Sequence, residues 1–97
     1  MSKRPMTTEE KQMVEAILSF GCMVEGCHSK PEFHHIFGAR PNALAIGFGL
    51  CPDHHRGMSY PGESIHSSKL LFEGKHGTEL ELLEKSLLLV FARSIPF

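Results

Sequence analysis

The sequence predicts a single small α+β domain, with two short strands and a short helix at its centre, one helix before them and helices after. Three observations point there. Apolar residues recur at helical spacing near both ends, at Met13, Val14, Ile17 and Leu18 and again at Leu80, Leu83, Leu87, Val90 and Phe91. Between these stretches, Glu32 to Phe37 has the mixed polar and apolar pattern of a half-buried strand. Pro52 then follows Leu50-Cys51, where its fixed φ suits the first turn of a helix.

Residues 1–6 read as a loose arm and residues 7–97 as one domain. Thr7-Thr8-Glu9-Glu10 has the capping-box form, so a helix is expected from about Thr8 to Ser19, with Gly21 ending it. Cys22 and Cys27 fall in the turn before the first strand. Residues 41–49 carry Gly47 and Gly49 and read as a loop entering a second strand that ends at Leu50 and Cys51. Pro52 opens a helix bearing His54, His55 and Arg56. Residues 57–63, with Gly57, Pro61 and Gly62, read as a loop. Glu63 or Ser64 starts the next helix, which carries His66, Leu70, Leu71 and Phe72 and stops near Gly74. Thr78 caps a last helix whose apolar face, widened by Leu82 and Leu89, is expected to pack into the core, with a partner surface as the alternative.

At 97 residues the chain can bury only a modest core, so an additional stabilising element is expected. Apolar residues at 41% and charged residues at 22% exclude a disordered or fibrous chain. The run Leu87 to Ala92 is far shorter than the roughly 18 to 20 apolar residues of a membrane span, so a soluble protein is expected. Met1-Ser2-Lys3-Arg4-Pro5 lacks the apolar core of a secretory signal, which makes a reducing, cytoplasmic compartment the expectation. Three cysteines in such a compartment suggest a metal, and an odd count fits poorly with a closed disulfide framework. The net charge of −1 argues only weakly against a nucleic-acid partner, because phosphate affinity follows local clustering and bound cations change the sign of a site.

The chemistry-bearing residues fall into two sets. Cys22 and Cys27, four residues apart by intervening count, together with Cys51-x-x-His54, supply three thiolates and an imidazole, the ligand set of a structural zinc. His28 is an alternative to His54, and buried hydrophobic cysteines are the competing reading. Structural zinc contributes on the order of 10 to 16 kcal/mol, enough to decide whether a domain of this size folds.

The second set is His34, His35, His55 and His66. Neighbours on a strand point to opposite faces, so His34 and His35 are expected to have different roles. A site that cleaves a phosphodiester needs a divalent cation to polarise the phosphate and a base near neutral pKa to activate water. His34 is assigned to the cation and His35 to the base, with His55 as a second ligand and His66 as a third; a second structural zinc, or a polar surface, is the competing reading for these histidines. Arg56 and Lys69 are candidates to hold the phosphate, by a fork and by a point charge; solvated surface cations are the alternative for both. His76, between Lys75 and Gly77, reads as a solvated loop residue.

Cys-x4-Cys, then His34-His35-Ile36, then Leu50-Cys51-Pro52-Asp53-His54-His55-Arg56-Gly57 resembles an HNH endonuclease of the ββα-metal type. The continuation through Ser59, His66, Phe72 and Gly77 is similar to the phage recombination-enhancement nucleases, which cut DNA with the help of the recombinase RecA. The resemblance spans roughly residues 21 to 84 and implies a DNA endonuclease with structural Zn²⁺ and a catalytic Mg²⁺ or Mn²⁺, or Zn²⁺ in their place. It implies His34 and His55 as ligands of the catalytic ion and His35 as the water-activating base. It further implies DNA and a RecA filament on single-stranded DNA as partners, in the host bacterial cytoplasm. The sequence departs from the family at the middle asparagine: Ile46 and Gly47 stand there. Either Asn42 reaches in from the loop or His66 supplies the ligand, and His66 is preferred. A non-catalytic zinc module that docks on nucleic acid or protein is the alternative function.

Overall fold

The computed structural model of the chain describes residues 5–27, 29–38, 40, 43–57 and 64–94. Its first helix, α1 (Thr8–Leu18), starts where the capping box places it. Thr7 Oγ1 accepts from the Glu10 amide at 3.1 Å, and Glu10 Oε1 accepts from the Thr7 amide at 2.8 Å. Two of the helix's orphan donors are thereby satisfied. Ile17 carries the core-facing side and is fully buried, while Gly21, at φ +78°, turns the chain out of the helix. Only a residue without Cβ adopts that conformation at no steric cost.

Two strands follow, β1 (Glu32–His35) and β2 (Gly47–Leu50), paired antiparallel with His34 opposite Phe48 and His35 opposite Gly47. Gly47 and Gly49 therefore lie inside β2, and not in the loop where the sequence placed both. The reason is close approach: a Cβ on Gly47 would overlap the carbonyl oxygen of His34. Phe48 and Leu50 alternate with the glycines and are fully buried. The Met23 amide donates to the Gly49 carbonyl at 2.9 Å, which binds the cysteine turn to β2.

Pro52 opens α2 (Pro52–Arg56) and Gly57, left-handed at φ 74°, closes it. The next helix starts later than the sequence indicated. Ser64 is fully buried; its hydroxyl accepts from the Ser67 amide at 3.0 Å and donates to Ser67 Oγ at 2.8 Å, which makes a local turn in place of a helical start. Ser68 is the actual cap, accepting from Leu71, and α3 (Lys69–His76) runs through Gly74 to end at Gly77. His66 consequently sits on the turn ahead of α3. The start expected at Glu63 lies outside the described residues.

The last helix, α4 (Glu79–Ser94), has Thr78 and Glu81 as a second capping box. It packs against α1 and β2, so only one side of it is covered. Leu82 and Ser86 are buried and Leu83 and Val90 pack at the margin. The expectation that the whole apolar face enters the core is overturned: Leu80, Leu88 and Phe91 are 66%, 59% and 63% exposed. With Met13 they line an open groove of about 580 Å³. The core itself gathers Ile17, Met23, Phe48, Leu50, Ile65, Phe72 and Leu82 around the cysteines.

Candidate functional site

Cys22, Cys27, Cys51 and His54 converge from three elements: the turn after α1, the end of β2 and the first turn of α2. Their ligand atoms all lie within 4.8 Å of one another. Cys51 Sγ stands 3.1 Å and Cys22 Sγ 3.5 Å from His54 Nδ1, and Cys27 Sγ is 3.9 Å from Cys51 Sγ. Tetrahedral zinc places thiolate and imidazole ligand atoms roughly 3.5 to 3.8 Å apart, so the cluster is close to the size a zinc ion requires. No disulfide joins these thiols. Burial pushes the Cys22 thiol up to about 12. For Cys27 burial also raises it, but the Ser29 backbone and neighbouring thiols outweigh that and hold it below its ordinary value. A bound cation removes the penalty on a buried thiolate by supplying the opposite charge. The three thiols and His54 thus fit a structural metal such as zinc.

A second cluster joins His34, His55 and His66, again with ligand atoms within 4.8 Å. β1 turns His34 inward against Phe48, with ring centroids 5.3 Å apart. His55 lies 5.1 Å from His34 and 4.3 Å from His66, centroid to centroid. The position of His66 is set by backbone: the Ile65 amide donates to the His54 carbonyl at 2.8 Å, and the His66 amide donates to the His55 carbonyl at 3.2 Å. The turn over residues 64–67 is thus fastened to the end of α2. His35 is not part of this group; its ring meets the edge of Phe33 at 4.9 Å, on the other face of the strand. Neighbouring imidazoles at 34 and 35 do not converge on one point.

Two carboxylates surround the trio. Glu79, at the start of α4, accepts from His34 Nε2 at 2.6 Å through Oε2 and pairs with Lys69 Nζ at 2.9 Å through Oε1. Glu32, in β1, accepts from His55 Nδ1 at 2.6 Å and is clasped by Arg56 Nε and Nη2 at 2.6 and 2.9 Å. The Arg56 fork holds the Glu32 carboxyl below its usual range, with His55 adding to the effect. Burial works against Glu79, but Lys69 and His34 together keep it on the low side as well. Burial pulls His55 down, only partly offset by Glu32, and the other two imidazoles push the same way. A neutral imidazole is the form that binds a cation.

Arg56 and Lys69, read from the sequence as phosphate holders, are therefore each engaged by a carboxylate, with about half of each side chain in solvent. Sequence reasoning missed Glu32 and Glu79 as site residues. Glu32 was legible, since it lies two residues before His34 on the same strand face; Glu79 is 45 residues from its partner and carried no signal. His76 is not a solvated loop residue: α3 extends to it, and its ring packs 5.3 Å from His54 and 4.9 Å from Phe72. His28, Asn42 and Ser59 lie outside the described residues.

No helix among the described residues is long and apolar enough to cross a membrane. No protein-family model and no curated protein matches this chain.

Proposed function

We propose that the protein is a metal-dependent DNA endonuclease of HNH type, built as a zinc-stapled ββα-metal domain. The observation that carries this reading is the division of labour among the imidazoles. His54 joins the three cysteines, His34, His55 and His66 form a separate donor set, and His35 remains outside both. A binding module has use for the first set, and for the second only as a further structural zinc; it has no chemical use for His35.

Bound at the trio, a divalent cation would supply Lewis acidity toward the phosphate and the leaving oxygen. The chain's residues supply the rest. His35 is the base that takes a proton from the attacking water, whose oxygen bonds to phosphorus as the bond to the leaving sugar oxygen breaks. Arg56 and Lys69 face solvent beside the trio and, while clasping Glu32 and Glu79, offer their remaining N–H groups to the phosphate. An all-nitrogen donor set suits Zn²⁺, Co²⁺ or Ni²⁺ better than Mg²⁺ or Mn²⁺, which prefer oxygen ligands.

A RecA filament on single-stranded DNA is the proposed partner. Arg56 and Lys69, the cations beside the trio, are each paired with a carboxylate, so a filament that presents the strand supplies affinity they lack. The competing reading, a non-catalytic zinc module, draws support from the pairing of Arg56 and Lys69 with carboxylates.

The deciding experiment incubates wild type and His35→Ala with plasmid and single-stranded DNA, with and without RecA, across Mg²⁺, Mn²⁺, Zn²⁺ and Co²⁺. Nicking by the wild type that is lost in the variant is the expected result. Equal activity in the two, or none in any condition, removes the proposal.

A further inference from the structure

The geometry points to Glu32 and Glu79 as positioning residues that fix which ring nitrogen of His55 and His34 faces a borderline divalent ion: Nε2 of His55 and Nδ1 of His34. This inference rests on the reading of His34, His55 and His66 as a cation site, and it adds the residues that orient the donors.

An imidazole has two nitrogens, and the one that hydrogen-bonds outward leaves the other to bind. His55 Nδ1 donates to Glu32 Oε1 at 2.6 Å, so Nε2 is its remaining donor atom. For His34 the assignment is reversed. Nε2 donates to Glu79 Oε2 at 2.6 Å, while Nδ1 is buried and, among the described residues, has no hydrogen-bond partner. A buried polar nitrogen without a partner is costly unless something occupies its lone pair. His34 is only 6% exposed, so water is not an easy substitute. Neither Glu79 nor Glu32 joins the group whose ligand atoms lie within 4.8 Å of one another. Both carboxylates thus stand behind the imidazoles and do not compete with them for the ion.

Each carboxylate is in turn held by a cation: Arg56 in a two-point clasp on Glu32, and Lys69 on Glu79. These clasps keep the carboxylates ionised and aimed at the imidazole N–H. The two ligand histidines come from different elements, β1 and α2, and their carboxylates from β1 and α4. The site is therefore locked from three directions. An ionised partner also raises the donor strength of the imidazole it holds, which favours Zn²⁺, Co²⁺ or Ni²⁺ over harder ions.

The test uses the full-length protein with zinc in the Cys₃His cluster, titrated with Co²⁺ and followed by visible absorption and calorimetry. Glu32→Ala and Glu79→Ala should each weaken Co²⁺ binding by roughly tenfold to a hundredfold, and the isosteric Glu79→Gln by less. Zinc content and circular dichroism establish that each variant is folded, and Glu79→Gln and Glu32→Ala serve where Glu79→Ala does not fold. His34→Ala and His55→Ala are the reference for the site itself: Co²⁺ binding unchanged in both sinks the trihistidine reading. Binding lost in those two but unchanged in the glutamate variants overturns the positioning role alone. Long-range ¹H–¹⁵N spectra of protein loaded with a second zinc give a readout that a merely structural role would not move. The ion should be found on Nδ1 of His34 and Nε2 of His55, and its presence on the opposite nitrogen of either ring overturns the inference.

Discussion

His54 and His55 are consecutive in α2, yet they belong to different clusters: His54 stands 3.1 Å from Cys51 Sγ, and His55 stands 2.6 Å from Glu32 with its ring against His34 and His66. Adjacent helical positions are about 100° apart around the axis, so one short helix serves two sites by facing each with one residue. Folding and the proposed function would thereby be joined at a single turn of backbone, where single substitutions can separate them.

His54→Ala should lose the zinc and most of the stability, since structural zinc supplies on the order of 10 to 16 kcal/mol. A strong chelator applied to the wild type should do the same. His55→Ala should keep its zinc and lose no more than the roughly 0.5–3 kcal/mol of an ordinary truncation, while losing the second cation and any nicking activity. Zinc content and thermal melting followed by circular dichroism measure both. A chelated wild type with an unaltered melting point would refute the structural role.

Gly47→Ala tests the approach of the two strands. A Cβ there meets the His34 carbonyl, which is backbone and cannot swing aside as a side chain would. The expected cost is on the order of 1–3 kcal/mol, with weakened cation binding because His34 is displaced along with its strand. Denaturant melts and a Co²⁺ titration check the two parts separately. A variant as stable as wild type shows that the strands are not held this tightly.

Along α4, burial divides residues that hydropathy alone would group together. Leu82→Ala should cost about 2–5 kcal/mol, whereas Leu88→Lys, at a site 59% exposed, should change stability by no more than about 0.5 kcal/mol. Comparable losses in the two would place Leu88 in a covered interface.

Glu81 gives a pH dependence of known sign. Its carboxyl is held below the ordinary value by the Thr78 backbone amide and hydroxyl. A group whose pKa is depressed on folding stabilises the fold above its unfolded value of about 4.3 and stops doing so as pH falls through the folded value. The melting temperatures of wild type and Glu81→Gln should therefore differ near neutral pH and converge in acid. A gap that persists at low pH would mean that the carboxylate charge is not what stabilises the cap.

The sequence by itself determined the parts that depend on neighbours along the chain. Thr7 with Glu10 started α1, Pro52 and Gly57 bounded α2, and Cys22, Cys27, Cys51 and His54 were legible as a ligand set from their spacing. His66 could be named as the third member of the trio, though its place on a turn and not in a helix could not, because the Ser64 hydroxyl's local bond to Ser67 outcompeted a helical start. What only the tertiary structure decided was which surfaces are covered and which charges meet. Leu80 and Leu82 are alike in hydropathy, and only the packing of α1 and β2 on one side of α4 separates them. Glu79 reaches His34 across 45 residues because α4 packs on β2, the strand paired with β1, a placement set by burial of the core and by no pattern near either residue.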